Sequence, residues 1–266
     1  MGLLGRHLCF IVAALTAAAS GDVRAASATL SSHRAIYQMI LKSASQGSDI
    51  AALDGQMLIE VVDVCDGWTL EQRIALTIVN FEGGEVYSYT SFTSWESKDG
   101  QRFRFEQQTQ QNDVTVEELG GEAAMAPDGG GMVALARPTA ASLELASGTM
   151  FPSAHTALLI ASAEAGETFV SRVVYDGTSA EGPSQISAFI SRSKIVPGLP
   201  DELAEVRAWP VHLAFYPASS VDSKPEVEIS MMLQANGVAR ALTINYGSFS
   251  IEGRLDKLEL LPATDC

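Results

Sequence analysis

Two pairs of neighbouring residues have types and spacings that could support catalysis. Ser153 and His155 could supply a nucleophile and a general base, and Asp66 beside Trp68 could place an acid in an apolar pocket. Residues two apart at the start of a helix point in different directions, however, and the sequence contains no Gly-x-Ser-x-Gly motif. A helix cap for Ser153 and a turn position for Asp66 are the ordinary roles. We therefore predict no catalytic residue and keep a hydrolase using His155 or Asp66 as an alternative function.

Metal and cofactor sites are also not indicated. Beyond residue 28 the histidines are His33, His155 and His212, which are far apart and in no ligand spacing. Residues 120–131 are rich in glycine and alanine, but no Lys-Ser/Thr pair at phosphate-loop spacing and no helix pattern follow them. We interpret residues 120–131 as an exposed loop, and we predict neither a metal nor a cofactor.

Aromatic residues at strand spacing are the candidates for binding. Trp68, Tyr89 and Trp95 lie in stretches of alternating polar and apolar residues, and a sheet that curls round them could enclose a cavity for an apolar ligand. Plain core packing is the alternative for such residues. Trp68, Tyr89, Trp95 and His155 are therefore the tentative ligand or partner residues.

The first 28 residues are predicted to be a secretory signal peptide. Arg6 and His7 precede an apolar run of about a dozen residues, which is too short to span a bilayer comfortably. Small residues then allow cleavage after Ala25 or Ala28, and a retained N-terminal anchor is the alternative. No apolar run after the leader is long enough to span a membrane. Residues 29–266 show no linker or repeat, which predicts a single domain.

The cysteines fit an exported protein. Of the three in the chain, Cys9 lies in the leader, which leaves Cys65 and Cys266. An even pair in an exported protein predicts one disulfide, between Cys65 and the end of the chain. A metal site or a redox-active thiol is not favoured, because there is no Cys-x-x-Cys and no clustered histidine.

The charge balance excludes one class of partner. The chain carries 32 acidic and 17 basic residues, for a formal net charge of -15. Such a surface repels phosphate backbones, so we expect no nucleic-acid partner.

The elements that would position these residues are mostly strands. Alternation of period two recurs along the chain, most clearly in residues 68–80, and Asp-Gly or Asn-Gly turns separate the runs. The one convincing helix opens with Ser153 as its N-cap or Pro152 as an early helical residue, continues through the alanine- and leucine-rich residues 156–165 and stops at Gly166. It should cover an open face of a sheet. Trp209-Pro210 predicts an edge or bent strand. The predicted fold is all-β with one main helix, a large antiparallel curled or barrel-like sheet of about a dozen or more strands; two packed sheets are the alternative.

An ordered set of short motifs resembles the EipB-like family of periplasmic envelope proteins, first catalogued as a domain of unknown function in alphaproteobacteria. The resemblance extends from about residue 31 to Cys266. Its motifs are Ser-His-Arg-Ala at 32–35, Cys-Asp-Gly-Trp at 65–68, Gly-Thr-x-Phe-Pro-x-x-His at 148–155, Tyr-Asp-Gly at 175–177, Asn-Gly at 236–237, and Leu-Pro at 261–262 before the closing cysteine.

The resemblance implies a fold and a broad role. It implies a β-spiral, an open barrel of about fourteen antiparallel strands with one main helix, closed by a disulfide that maps onto Cys65 and Cys266. It implies a non-enzymatic periplasmic protein that supports envelope integrity and stress resistance, with a helical-repeat periplasmic protein as a partner. A carrier of lipid or lipoprotein in the curled sheet is the alternative.

Overall fold

The computed structural model describes residues 30–127, 129–194, 206–217 and 224–262, together with Thr264. These residues form β1 (His33–Ala44), β2 (Ile50–Asp63), β3 (Gly67–Asn80), β4 (Glu85–Ser97), β5 (Arg102–Gln111), β6 (Val114–Met125), β7 (Gly131–Arg137), β8 (Ala141–Leu145), α1 (Pro152–Glu164), β9 (Phe169–Val174), β10 (Ser184–Ile190), β11 (Ala208–Pro217), β12 (Val227–Gln234), β13 (Ala239–Asn245) and β14 (Phe249–Leu260).

All of the described strands belong to one 14-stranded antiparallel sheet. Its order is β8-β7-β6-β5-β4-β3-β2-β1-β14-β13-β12-β11-β10-β9. Two runs of hairpins therefore meet where β1 pairs with β14, and the first and last of the described strands lie in the middle of the sheet. Strand twist makes so many strands curl rather than stay flat. The predicted all-β class, with one helix and a curled antiparallel sheet, is confirmed.

The curl brings the two edges of the sheet together in one aromatic cluster. Leu145 of edge strand β8 and Tyr175, which follows edge strand β9, are buried against Phe103 and Phe105 of β5. The Tyr175 ring meets the Phe105 ring edge-on with centroids 5.5 Å apart, and Phe151 stacks on Phe103 at 5.1 Å. Residues far apart in the strand order thus close the spiral through side chains.

Gly177 is needed at this closure for a local reason. Its φ is +76°, and a Cβ at this position would lie 2.5 Å from the Phe105 ring. Only glycine combines this backbone conformation with so close an approach. The turn predicted at Asp176-Gly177 is therefore part of the closure of the sheet.

Helix α1 packs against the inner face of the C-terminal strands. Leu159, Ile160 and Ala163 share a buried cluster with Trp209 and Val211 of β11. Gly166 follows the helix with φ +80°, and its N–H donates to the carbonyl of Ala163. The helix thus covers a sheet face, as predicted, and its last residue, Glu164, lies two positions before Gly166.

The prediction of an exposed loop over residues 120–131 is wrong. Strand β6 continues to Met125 and β7 begins at Gly131, with Ala123 buried in the core. Gly121 lies within β6, where a Cβ would come 2.5 Å from the carbonyl oxygen of Ala134. Glycine serves close packing of two strands here, rather than loop flexibility.

The prediction that Trp209-Pro210 marks an edge strand is also wrong, while its alternative, a bent strand, stays a prediction. Strand β11 lies between β10 and β12, and Pro210 pairs with Met232. The Pro210 carbonyl accepts from Ser191, so this residue faces the β10 side just beyond the last residue of that strand, Ile190. The missing N–H of proline therefore affects only the position at the end of the β10–β11 ladder and interrupts none of the pairs within it.

The described part of the chain contains no helix with the length and apolar character that crossing a bilayer requires.

Candidate functional site

Several of the short motifs converge on one end of the spiral, where α1 begins. The Ser31 N–H donates to the carbonyl of Asn236 at 2.9 Å, and the Ser32 hydroxyl accepts from the Asp63 N–H at 2.9 Å. Trp68 pairs across the sheet with Glu96, which in turn contacts Ser153. We call the region formed by His33, Trp68, Glu96 and Ser153 the helix-start site.

The carboxylate of Glu96 caps the start of α1. Glu96 is 2% exposed, and its two oxygens accept hydrogen bonds from the backbone N–H groups of Ser153 at 2.6 Å and Ala154 at 2.8 Å. The residue before the helix, Phe151, makes no side-chain cap. A carboxylate here satisfies two of the unpaired N–H groups and faces the positive end of the helix dipole.

Two opposing effects act on the pKa of Glu96. Burial raises the pKa above the usual value for glutamate, and the hydrogen bonds from Ser153 and Ala154 partly counter that rise. Of the two predictions for the helix start, an N-cap at Ser153 is wrong and an early helical position for Pro152 is confirmed, because Pro152 is already helical and the cap comes from β4. One feature of the sequence could have indicated the capping role of Glu96, because its position places this glutamate on the same strand face as Phe92.

Replacing Glu96 with alanine is expected to lower the free energy of unfolding by about 1–3 kcal/mol, since it leaves buried N–H groups without a partner. Glu96→Gln should cost less, because its amide oxygen can still accept one of the two bonds. Urea denaturation monitored by tryptophan fluorescence measures both. Glu85→Ala, an exposed change on the same strand, is the control, and an equal loss in that variant would contradict the capping role.

The difference in stability between the wild type and Glu96→Gln should depend on pH in a definite direction. Because the pKa of Glu96 is raised on folding, the unfolded carboxyl ionises first as pH rises. Wild-type stability should therefore fall relative to Glu96→Gln from the ordinary glutamate pKa upward, until the folded carboxyl has also ionised. Thermal unfolding of both proteins between about pH 4 and 8 tests this.

Trp68 is held in place by a neighbouring ion pair. The Lys98 ammonium lies 3.3 Å from the centroid of the Trp68 ring and 2.5 Å from a carboxylate oxygen of Asp63. Burial raises the pKa of Asp63, but hydrogen bonds from Lys98 and from the Cys65 N–H outweigh it, and the net shift is downward. The contacts fix the β2–β3 corner against the end of β4.

The four tentative binding residues do not form one pocket. Trp68 packs towards the helix cluster on the inner face of the sheet. Tyr89 and Trp95 occupy alternate positions to Phe92 and Glu96, so they lie on the outer face, where Arg104 covers the Trp95 ring at 4.7 Å. His155 is buried in α1. The periodicity of the sequence predicts which residues share a face of a strand, but it does not predict which face points inward.

The histidine proposed as a base is enclosed by the core. His155 is 5% exposed, and its Nε2 atom has no hydrogen-bond partner among the described residues. Burial, with a smaller contribution from the positive charge of Arg172, lowers its pKa to about 4. Asp66 is exposed in the β2–β3 turn. The structure thus gives neither residue a hydrogen-bonded nucleophile among the residues it describes.

Metal-binding geometry is likewise absent from the described ranges, in which no three His, Cys, Asp or Glu side chains are grouped to hold an ion.

The end of the chain reaches the same corner as Cys65. The hydroxyl of Thr264 donates to the carbonyl of Asp63. Cys65 itself lies in the β2–β3 turn with φ +70°. Cys266, like the predicted leader at residues 1–28, lies outside the described residues.

A cavity of about 130 Å³ opens beside the start of α1. Leu30 and His33 are buried and form its floor, while the other lining residues are partly exposed and form its rim. The rim consists of Val61, Thr69, Leu70, Pro152, Ser153, Thr156 and Gly237.

Comparisons of sequence and of structure with known proteins identify the same kind of relative. The family model described as EipB-like matches residues 24–262. The chain is 32% identical over 249 residues to the cell envelope integrity protein EipB of Brucella abortus, which covers 91% of this chain and 88% of the relative. The crystal structure of a β-barrel-like protein of a domain of unknown function from Brucella abortus matches with a TM-score of 0.83 at 30% identity, covering 88% of this chain and 99% of that one.

The family match covers most of the sequence, and the fold matches that of a barrel-like relative over 88% of the chain. The chain therefore belongs to the EipB-like family.

Proposed function

We propose that this protein supports the integrity of the cell envelope from the periplasm, without catalysing a reaction. The observation that carries the proposal is the 32% identity to a cell envelope integrity protein over 91% of the chain. Two observations support it. The predicted leader sequence is typical of an exported protein, and the buried carboxylate of Glu96 at the helix-start site is engaged in capping α1.

A protein partner is the mode of action we propose. Its support is an exposed aromatic pair on the outer face at one edge of the sheet: Phe169 and Phe189 are 51% and 54% exposed, with ring centroids 5.0 Å apart. Exposed aromatic side chains beside an edge strand are typical of interaction surfaces. A helical-repeat periplasmic protein is the partner that the resemblance implies.

Deleting the gene in its native host should sensitise the cells to detergents and to drugs that act on the cell wall. Plating efficiency on graded detergent, with and without a plasmid copy of the gene, measures this. Phe169→Ser combined with Phe189→Ser in the plasmid copy tests the partner surface, with Phe81→Ser, at another exposed phenylalanine, as the control. A deletion strain that tolerates detergent as well as its parent would contradict the proposal.

The lipid or lipoprotein carrier has less support. The apolar cavity at the helix-start site, at about 130 Å³, is smaller than the roughly 300–1,000 Å³ that drug-sized ligands usually occupy. A cavity of about 360 Å³ over β4 to β6 is large enough, but its lining residues are all polar or charged. Native mass spectrometry of protein purified from the periplasm distinguishes the two functions, since a carrier should retain a bound apolar molecule.

We also propose that Cys65 and Cys266 form a disulfide. What supports the pairing is the hydrogen bond between Thr264 and Asp63, because each of these residues precedes one of the cysteines by two positions. Two residues span at most about 7 Å, which is short enough for the sulfurs to approach each other.

A further inference from the structure

The cavity at the helix-start site has one polar atom on its floor that lacks a partner. His33 is 4% exposed, and its Nδ1 lies 2.7 Å from the carbonyl oxygen of Ser31. A carbonyl only accepts, so Nδ1 carries the proton and Nε2 of the neutral ring is an acceptor. Among the described residues no group bonds to Nε2, and His33 is one of the residues that line the cavity.

The rest of the cavity is largely apolar. Leu30 closes the floor beside His33, and the side chains of Val61, Leu70 and Pro152 contribute carbon atoms to the walls. The Thr156 hydroxyl on the rim donates to the Pro152 carbonyl within the helix. An apolar wall with a single acceptor selects a ligand that is mostly carbon and donates one hydrogen bond.

An anion is disfavoured at this place. The N–H groups of Ser153 and Ala154, which would otherwise attract an anion to a helix start, already bond to the Glu96 carboxylate. Burial lowers the pKa of His33, so that the ring is neutral at physiological pH. The cavity therefore presents no positive charge from either source.

We propose that this cavity is a binding site for a small neutral group, about the size of a phenol ring, whose single hydroxyl donates to Nε2 of His33. The volume of about 130 Å³ compares with the roughly 150 Å³ of an engineered apolar cavity that binds benzene. The cavity is separate from the exposed aromatic pair of Phe169 and Phe189. If the cavity binds no such group, the proposed envelope role is unaffected.

Phenol and toluene are the matched probes, because they differ by a hydroxyl in place of a methyl group. Titration of the full-length mature protein should show saturable binding of phenol that is roughly three- to tenfold tighter than that of toluene. His33→Phe, which keeps a ring but has no acceptor, should bind the two equally. His212→Phe, a change on β11 where the histidine contacts Ser230, should behave like the wild type.

A second measurement uses the wild-type protein alone. With ¹⁵N-labelled histidine, phenol should shift the Nε2 resonance of His33, and toluene should not. The proposal is overturned if neither probe saturates at millimolar concentration, if the wild type binds both equally, if His33→Phe keeps the preference, or if the Nε2 resonance does not move.

Discussion

Replacing Phe103 with alanine is expected to lower the free energy of unfolding by about 3–5 kcal/mol, as for other fully buried phenylalanines. The Phe103 side chain is 0% exposed and stacks on Phe105 and Phe151, with Tyr175 edge-on to it. The cavity left by its removal would lie where the two edges of the sheet meet. Chemical denaturation measures the loss.

The control for this change is Phe81→Ala at the β3–β4 turn. Phe81 is 66% exposed, so its loss should change stability by no more than about 0.5 kcal/mol. Hydrogen exchange gives a local readout of the closure, because the Tyr175 N–H donates to the Met150 carbonyl and the Met150 N–H donates to Val173. Both amides should exchange faster in Phe103→Ala. Comparable losses in the two variants would show that the edges are not held together by this cluster.

Replacing Cys65 with serine is expected to cost about 2–5 kcal/mol and to increase protease cleavage near the end of the chain. A bond from Cys65 to Cys266 would close a loop of about 200 residues, for which chain entropy sets an upper estimate near 5 kcal/mol. Because β14 lies beside β1 in the centre of the sheet, the bond would anchor the C-terminal segment to the corner after β2. Thermal unfolding with and without reductant measures the effect.

The pairing itself is tested by comparing single and double variants. Cys266→Ser should cost as much as Cys65→Ser, and the double variant should cost no more than either, since each change removes the same bond. Serine is little smaller than cysteine and meets the same φ of +70° at position 65, so backbone strain is matched. Non-reducing peptide mapping should recover the linked peptides. Additive losses, or a stable Cys266→Ser protein, would contradict the pairing.

The architecture was predictable because its signals are local. Alternation over residues 68–80 and the Asp-Gly and Asn-Gly turns specify strands and hairpins within a few residues. Composition misled where glycine had a packing role, as at Gly121 against Ala134. It misled again at Pro210, because whether a proline interrupts a ladder depends on where the neighbouring strand ends.

The candidate site was less predictable because its contacts are distant in sequence. Glu96 caps a helix that begins more than fifty positions later, and no local motif records that contact. Trp95 was a candidate for lining a cavity, yet it lies on the face of β4 opposite the buried Phe92. Only the curl of the sheet decides which face is inside.

The most direct test of the envelope role is complementation of the deletion strain with two forms of the protein. One form carries residues 29–266 behind a signal sequence that directs export to the periplasm, and the other carries the same residues with no signal sequence. The exported form should restore detergent tolerance to the parental level, and the unexported form should leave the cells sensitive. Equal restoration by both forms, or by neither when both are present at parental levels, would contradict an envelope function exerted from the periplasm.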